Sequence, residues 1–213
     1  MIQPKKRKRL FEFLKKSYYI KLETYVCDVK GFLPYVQDLR KYIFRFKSKD
    51  ISQANMMIKK IKKIHPIKNP LLVSIHIRLQ DMEKHLTNYN VSLASQTYFT
   101  NSMNYMSTKF GKNIIFIVVS DDIKGARKFL DEKATRRFRV VFPSTGDMPR
   151  SHIVTLALLA LADHSILTYS TFGLWGALMR NKEGGEIIMP EETKKTDIGY
   201  YAFDANIPGL TFM

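Results

Sequence analysis

Two kinds of apolar pattern divide this chain near residue 70. Before that point, apolar residues recur three and four positions apart, which predicts amphipathic helices at about Pro34 to Phe46 and about Ile51 to His65. The basic and aromatic segment that comes first lacks clear periodicity and predicts a helix only around Leu10 to Lys16. Pro66 and Pro70 end the second amphipathic helix.

After Pro70, apolar runs of strand length alternate with helical segments. The predicted strands are LLVSIHI (71–77), NIIFIVVS (113–120), FRVVF (138–142), a short run from Ser165 to Thr168, and EIIM (186–189). The predicted helices are ASQTYFTNSMNYMSTKF (94–110), IKGARKFL (123–130), a run that ends near Ala162, and a run that begins at Phe172-Gly173. The strands are almost continuously apolar, so both faces of the sheet must be covered by helices. The predicted fold class is therefore α/β, with a doubly wound parallel sheet at residues 71–213 and a basic, partly helical region at residues 1–70.

Polar side chains follow three of the predicted strands. Ligands of doubly wound sheets bind beyond the carboxyl ends of the strands, so these side chains are the candidates for a functional site. They are His76, Arg78 and Asp81 after the first strand, Ser120, Asp121 and Asp122 after the second, and Ser170, Thr171 and Gly173 after the fourth. We expect them to converge on one rim of the sheet.

The turn Tyr169-Ser170-Thr171 joins a strand directly to a helix. Such a turn presents unpaired backbone N–H groups and the positive end of a helix dipole to the crevice above the sheet. This arrangement predicts a site for a phosphate-like anion. The alternative is that Ser170 or Thr171 caps a core helix, as these residue types commonly do.

Composition and charge narrow the class of partner. The chain has 213 residues, is 45% hydrophobic and carries a formal net charge of +16, with a pI near 9.8. Such a chain suits a polyanionic partner: a nucleic acid, membrane phosphate or a nucleotide-linked substrate. Cys27 is the only cysteine, which excludes an internal disulfide and a cysteine-rich metal site. No apolar run has membrane-spanning length, and the N-terminus lacks the apolar region of a signal peptide.

Three motifs in order carry a resemblance to a known family. They are HIRLQD (76–81), FIVVSDD (116–122) and LALLALADHSILTYSTFGLWGA (156–177). This order is similar to that of the α-1,2-fucosyltransferases, whose pattern is HxRRGD, a strand ending in S-D/N, and a D-x-A-L-L segment leading to H-T-I-M-T-x-G-T-F-G-x-W-A-A. The last block is the specific one, with matches at His164, Ile166, Thr168, Thr171, Phe172, Gly173, Trp175 and Ala177. The resemblance covers about residues 71–189.

The resemblance implies an inverting glycosyltransferase of the GT-B type. Such an enzyme moves fucose from GDP-fucose to the 2-hydroxyl of a galactose on a glycan, without a metal ion or other cofactor. The residues implied in donor binding are His76, Arg78, Asp81, Ser120, Asp121, Ser170, Thr171, Phe172 and Gly173. Without a metal, an arginine and backbone N–H groups must meet the charge on departing GDP, and Arg78 and the turn at 170–173 supply both. Asp81 has three candidate roles: holding Arg78, contacting the fucose, or acting as the catalytic base; holding Arg78 ranks first.

The resemblance also implies a cellular setting. Residues 1–70 would be a remnant of the acceptor-side half or a linker, and residues 71–213 the GDP-fucose-binding domain. The implied location is the Golgi lumen or membrane, with membrane contact only through an N-terminal anchor that this chain does not show. The implied acceptor is a galactose-terminated glycan, and no nucleic acid partner is expected.

Three positions depart from the family pattern. Leu79 replaces the second arginine, Gln80 replaces the glycine, and Thr155 replaces the aspartate before the A-L-L segment. A catalytically inactive, nucleotide-binding relative is therefore the alternative to an active enzyme. A basic nucleic-acid-binding protein is a further alternative; it accounts for the charge but not for the motifs.

Overall fold

The protein is described here from a computed structural model, in which residues 29–130, 135–144, 151–180, 184–197, 202 and 204–213 are placed. The helix predicted at Leu10 to Lys16 lies outside these residues. The helices are α1 (Ser48–Ile64), α2 (Met82–Thr87), α3 (Gln96–Phe110), α4 (Ile123–Phe129), α5 (Ser151–Leu161) and α6 (Thr171–Leu178). The strands are β1 (Leu71–Ile77), β2 (Ile114–Ser120), β3 (Val140–Val141), β4 (His164–Ile166), β5 (Ile187–Met189) and β6 (Leu210–Phe212). A 3-10 helix spans Glu191–Lys195.

Within the described residues, six strands form one parallel sheet in the order β3-β2-β1-β4-β5-β6. This is the strand order of Rossmann-type folds, in which the direction of winding reverses beside the first strand. The long pairing of β1 with β2 joins seven residues of each strand, from Leu71 opposite Ile114 to Ile77 opposite Ser120. The predicted fold class, an α/β domain with a parallel sheet, is confirmed.

Both faces of the sheet are buried, which is why its strands are nearly continuous apolar runs. Alternate residues of β1 and β2, such as Val73 and Phe116, pack with Phe99 of α3 on one face. The intervening residues, such as Leu72 and Ile115, pack with α1 and α5 on the other. Helix α1 precedes the predicted boundary at residue 71, yet it shares this second core with the sheet.

Several element predictions differ from the structure in detail. The helix predicted at Pro34 to Phe46 is instead a series of short turns: Val29–Phe32, Leu33–Tyr35, Val36–Asp38 and a π-helical Leu39–Ile43. Pro34 lacks the N–H that would continue a helix through it, so the helical turn before it ends at Phe32. Helix α2 and the edge strand β6 were not predicted, because six and three residues are too few to show a period.

Candidate functional site

The candidate residues lie at the carboxyl ends of three neighbouring strands. Strand β1 lies between β2 and β4, so the loops that follow these strands meet above the centre of the sheet. This is the point where the winding reverses and a crevice opens. A cavity of about 460 Å3 lies there, and it is lined by His76, Arg78, Val119, Ser120, Asp121, Ile123, Pro143, Ser144, Ser151, His152, Thr155 and Phe172. We call it the rim cavity.

His76 is a buried, neutral imidazole at the edge of the rim cavity. It lies in β1 opposite Val119, and only 4% of its surface is exposed. Burial lowers its pKa from 6.5 to about 4, while the charges of Asp121 and Arg78 act in opposite directions on it. Its Nδ1 has no hydrogen-bond partner among the residues described here. The ring packs against Phe172, with 5.5 Å between ring centroids.

Gly173 allows helix α6 to approach this histidine. A Cβ at position 173 would lie 2.8 Å from His76 Nδ1 and 3.4 Å from Leu167 Cδ2. The first of these distances is too short for non-bonded atoms, so any larger residue at 173 forces the imidazole or the helix to move. The glycine of the STFG motif is therefore explained by packing, because α6 and β1 are in contact through it.

Arg78 is held in place by two carboxylates. Its Nε and Nη2 donate to the two carboxylate oxygens of Asp81 at 2.8 and 3.0 Å, and Nε lies 3.2 Å from Asp121 Oδ2. The hydrogen bond with Asp81 is the main cause of a raised pKa for Arg78. The backbone N–H of Arg78 donates to Thr168 Oγ1 at 3.2 Å, which ties the end of β1 to the segment after β4. Within the described chain, Nη1 makes no hydrogen bond, so it can donate to a ligand in the rim cavity.

Asp121 organises the loop after β1. It accepts hydrogen bonds from the backbone N–H groups of Leu79 at 2.9 Å and Gln80 at 3.3 Å, and from the Ser120 hydroxyl at 3.3 Å. Its neighbour Asp122 has a different role, because it caps helix α4 by accepting from the N–H of Gly125 at 2.9 Å. Of the two adjacent aspartates, it is therefore Asp122 that caps the helix and Asp121 that holds the loop after β1.

Asp81 lies at the outer edge of the site. Its side chain is 69% exposed, and both oxygens accept from Arg78. The hydrogen bond with Arg78 is the main cause of a lowered pKa for Asp81. A carboxylate in this state stabilises the orientation of the guanidinium, and its affinity for a proton is reduced.

Helix α6 begins at Thr171, directly after the buried residue Ser170. The Ser170 side chain makes no capping hydrogen bond to the described part of the helix, and its own N–H donates to Thr168 O at 2.8 Å. The alternative was that Ser170 or Thr171 caps a core helix; Ser170 stands at the N-cap position but does not cap the helix through its side chain. The first N–H groups of α6 are left to meet an anion or solvent.

The three positions that depart from the family pattern lie in different surroundings. Thr155 lines the rim cavity itself. Leu79 packs against the apolar core, with its Cδ1 3.1 Å from where a Cβ would stand at Gly125. Gln80 is exposed, and its Nε2 donates to Asp121 O at 3.2 Å. Outside glycine, positive φ angles in the described segments belong to Asn69, Asn90 and Asn206, so residue 80 does not need glycine for its backbone.

Sequence reasoning missed several residues of the rim cavity. Ser151 and His152 at the start of α5, and Pro143 and Ser144 after β3, complete its lining. Pro143 and Ser144 directly follow the predicted third strand, so the rule that ligands bind beyond strand ends could have identified them. Thr168, which accepts the hydrogen bond from the Arg78 N–H, could also have been identified, because it is one of the matched positions of the third motif.

The described residues contain neither a metal-binding cluster nor a membrane-spanning helix. Within them, no group of three or more His, Cys, Asp or Glu side chains lies close enough to hold a metal ion. None of their helices has the length and apolar composition needed to cross a membrane. Metal independence of any reaction remains a prediction.

Fold and site together define a class: a Rossmann-type α/β domain with a polar cavity and a helix start at its winding reversal. The profile of glycosyl transferase family 11 matches residues 7–198, and the chain belongs to that family. An α-1,2-colitosyltransferase from Escherichia coli is 30% identical over 119 residues, which are 55% of this chain and 39% of that protein. The solved structure of POFUT1 in complex with GDP aligns with a TM-score of 0.48 and 16% identity, over 68% of this chain and 47% of that chain. The chain thus spans less than half the length of either protein.

Proposed function

We propose that this chain is the donor-binding part of an inverting glycosyltransferase that transfers fucose from GDP-fucose to the 2-hydroxyl of a galactose. The observation that carries the proposal is that Arg78 and Phe172, the second residue of the uncapped helix α6, line one cavity at the winding reversal. A guanidinium held by two carboxylates, with Nη1 left over, is preorganised to bind a phosphate oxygen. Membership in family 11 supports the class of reaction.

In the proposed reaction, the galactose 2-hydroxyl oxygen forms a bond with the anomeric carbon of fucose as the bond to the GDP phosphate breaks, and the hydroxyl proton passes to the departing diphosphate or to water. Negative charge then grows on the diphosphate, where Arg78 Nη1 and the first N–H groups of α6 stabilise it. These fixed donors take the place of a metal ion in the proposal. His76, neutral at physiological pH, donates to the nucleotide or shapes the pocket wall without adding charge.

Asp81 and Asp121 serve in this proposal as positioning residues for Arg78. The lowered pKa of Asp81 and its two hydrogen bonds to Arg78 weigh against its use as the base that takes the hydroxyl proton. Ser120 supports Asp121 through its hydroxyl, and Phe172 forms the wall behind His76.

A second candidate is a relative that binds the nucleotide but no longer transfers the sugar. The observation that favours it is the position of Leu79, whose partly buried side chain packs against the apolar core where the family pattern has an arginine. The two candidates share the donor site and differ only in turnover.

The purified chain, incubated with lactose and either GDP-fucose or GDP-colitose, tests both candidates. GDP-colitose is included because colitose is the sugar in the name of the similar Escherichia coli enzyme. Transfer of fucose to O2 of the galactose, seen by NMR of the product, supports the proposal. Transfer from GDP-colitose but not from GDP-fucose would show that colitose, not fucose, is the transferred sugar. Binding of either donor without transfer would favour the second candidate, a relative that binds the nucleotide but does not transfer the sugar. Co-localisation of a tagged chain with a Golgi marker tests the location that the resemblance implies.

A further inference from the structure

A further cavity lies at the end of the sheet opposite the rim cavity. This cavity of about 340 Å3 is bordered by residues 184–185, which precede β5, and by residues 207–208, which precede β6. It therefore lies at the amino ends of these parallel strands. Arg40 and Arg180 are part of its lining, and most of the remaining lining residues are apolar. We call it the amino-end cavity, and its volume lies in the range of small-ligand sites.

Arg180 is a buried arginine with an unused hydrogen-bond donor. Only 3% of its surface is exposed, and its Nη2 donates to Ser165 Oγ at 3.0 Å. Its Nε is buried and has no hydrogen-bond partner among the described residues. The ion pairs of these residues do not include Arg180. Arginine is rarely buried to this extent without a charged partner, so we looked for a partner that enters from the cavity.

Gly185 makes room for this guanidinium. A Cβ at position 185 would lie 1.3 Å from Arg180 Nη1 and 2.6 Å from Asp163 O. No side chain fits at these distances, so the guanidinium lies directly against the backbone of Gly185. The arginine therefore has a place of its own beside the amino-end cavity.

Arg40 places a second positive charge beside Arg180. Burial, followed by the charge of Arg40, lowers the pKa of Arg180 from 12.5 to about 10. The carboxylates of Asp163 and Glu186 act in the opposite direction. Glu186 also pairs with Lys109, whose Nζ lies 2.8 Å from its Oε1. Among these five groups the cations outnumber the carboxylates by one.

We infer that the amino-end cavity binds a small organic anion, a monocarboxylate that contacts Arg40 and Arg180. A carboxylate is planar and accepts two parallel hydrogen bonds, which matches the geometry of a guanidinium. One excess positive charge suits a single negative charge, whereas a phosphate group carries about −1.5 to −2 at neutral pH. The apolar lining, which includes Leu33 and Ile207, suits a short apolar body on the carboxylate. This site is separate from the donor site of the proposed function and does not depend on it.

Stability in the absence of a ligand distinguishes a binding arginine from a structural one. A buried cation with an unmet donor destabilises the empty protein, and an apolar side chain of similar length removes that cost. We therefore expect Arg180→Met to unfold at the wild-type temperature or above it. A lower unfolding temperature together with unchanged anion binding would show that Arg180 is structural, and would overturn the inference.

Titration of sodium hexanoate into the nitrogen-15-labelled chain tests the binding itself. The chain has ten glycines, whose amides occupy a separate region of the correlation spectrum, and Gly184 and Gly185 line the cavity. We expect saturable shifts of these two amides, with a dissociation constant of about 1 mM or below. Arg180→Met and Arg40→Gln should each weaken binding roughly tenfold or more. If Arg180→Met fails to fold, Arg40→Gln decides alone.

Arg139→Gln is the matched control. Arg139 Nη1 donates to a backbone carbonyl, Lys112 O, as Arg40 does to the last carbonyl of α6, and Arg139 does not line the amino-end cavity. The control should bind hexanoate as wild type does. Equal weakening in Arg139→Gln and Arg40→Gln would show a general charge effect and overturn the assignment.

The remaining outcomes separate the anion and its place. Shifts at Gly173 without shifts at Gly184 and Gly185 would place hexanoate at the rim cavity and overturn the inference. Equal affinity for 1-hexanol would show that the arginines do not take part in binding, and would overturn it as well. Shifts with inorganic phosphate but none with hexanoate would overturn the assignment of a monocarboxylate. The absence of any shift with hexanoate or phosphate would overturn the site.

Discussion

Removal of the His76 imidazole should change how the stability of the protein depends on pH. In the folded state the pKa of His76 is about 4, against 6.5 for the ordinary side chain. Between these two values the unfolded chain binds a proton at this residue and the folded chain does not. The contribution of the neutral His76 imidazole to the free energy of unfolding is therefore fully present above pH 6.5 and is lost as the pH falls to about 4. The difference of the two pKa values corresponds to about 3 kcal/mol in the free energy of unfolding.

Urea unfolding of wild type and His76→Gln, followed by circular dichroism across this pH window, measures the effect. The difference in free energy of unfolding between wild type and variant should shrink by up to about 3 kcal/mol as the pH is lowered from 6.5 to 4. Carboxylates and the other histidines are common to both proteins, so their contributions cancel. His152→Gln, which removes an exposed histidine, is the control. A constant difference for His76→Gln would refute the claim that this imidazole is held neutral by burial.

Four further predictions concern the residues of the candidate site and the need for a metal. Gly173→Ala should lower the free energy of unfolding by about 1–3 kcal/mol, measured in urea, because its Cβ would stand 2.8 Å from His76 Nδ1; unchanged stability would contradict the packing. Any transfer activity should persist in EDTA, and activity lost there and restored by Mn²⁺ would show a metal requirement that we do not expect. Leu79→Arg alone should destabilise the fold by about 0.5–3 kcal/mol, since the partly buried side chain of Leu79 packs against the apolar core. If turnover needs the family pattern, the triple variant Leu79→Arg, Gln80→Gly and Thr155→Asp should transfer the sugar faster than wild type. If the transfer rate at equal folded fraction does not increase, these three positions do not contribute to catalysis.

Long, doubly buried strands were the most predictable part of the fold. Both faces of β1 and β2 are covered, so almost every residue in them must be apolar, and their limits could be predicted to within one residue. Helix α1 was predictable for a related reason: its buried residues Ala54, Ile58 and Ile61 recur at helical spacing. The segment at Leu33 to Ile43 has the same spacing but no fully buried side chain, so Pro34 and local turns decide its form.

The edge of the sheet that carries the candidate residues was predictable, and the contacts among these residues were not. Parallel strands all end on one edge, which is why residues separated by many positions, such as Arg78 and Ser170, could be assigned to one rim. Which of Asp121 and Asp122 would cap α4 depends on the direction in which each side chain leaves the end of β2, and a sequence pattern does not contain that information. The contact between His76 and Gly173 also depends on the approach of α6 to β1, which no local signal sets.

Calorimetric titration of GDP into wild type, Arg78→Ala and Arg78→Lys is the most direct test of a donor site at the rim cavity. Lys109→Ala is the matched control, because it removes another cation from a carboxylate pair, with Glu186. We expect wild type and Lys109→Ala to bind GDP equally, and Arg78→Ala to bind roughly 10- to 150-fold more weakly with its circular dichroism spectrum retained. Arg78→Lys should recover only part of the affinity, since an ammonium cannot hold Asp81 through two parallel hydrogen bonds. Failure of wild type to bind GDP, or equal affinity in Arg78→Ala, would contradict the account.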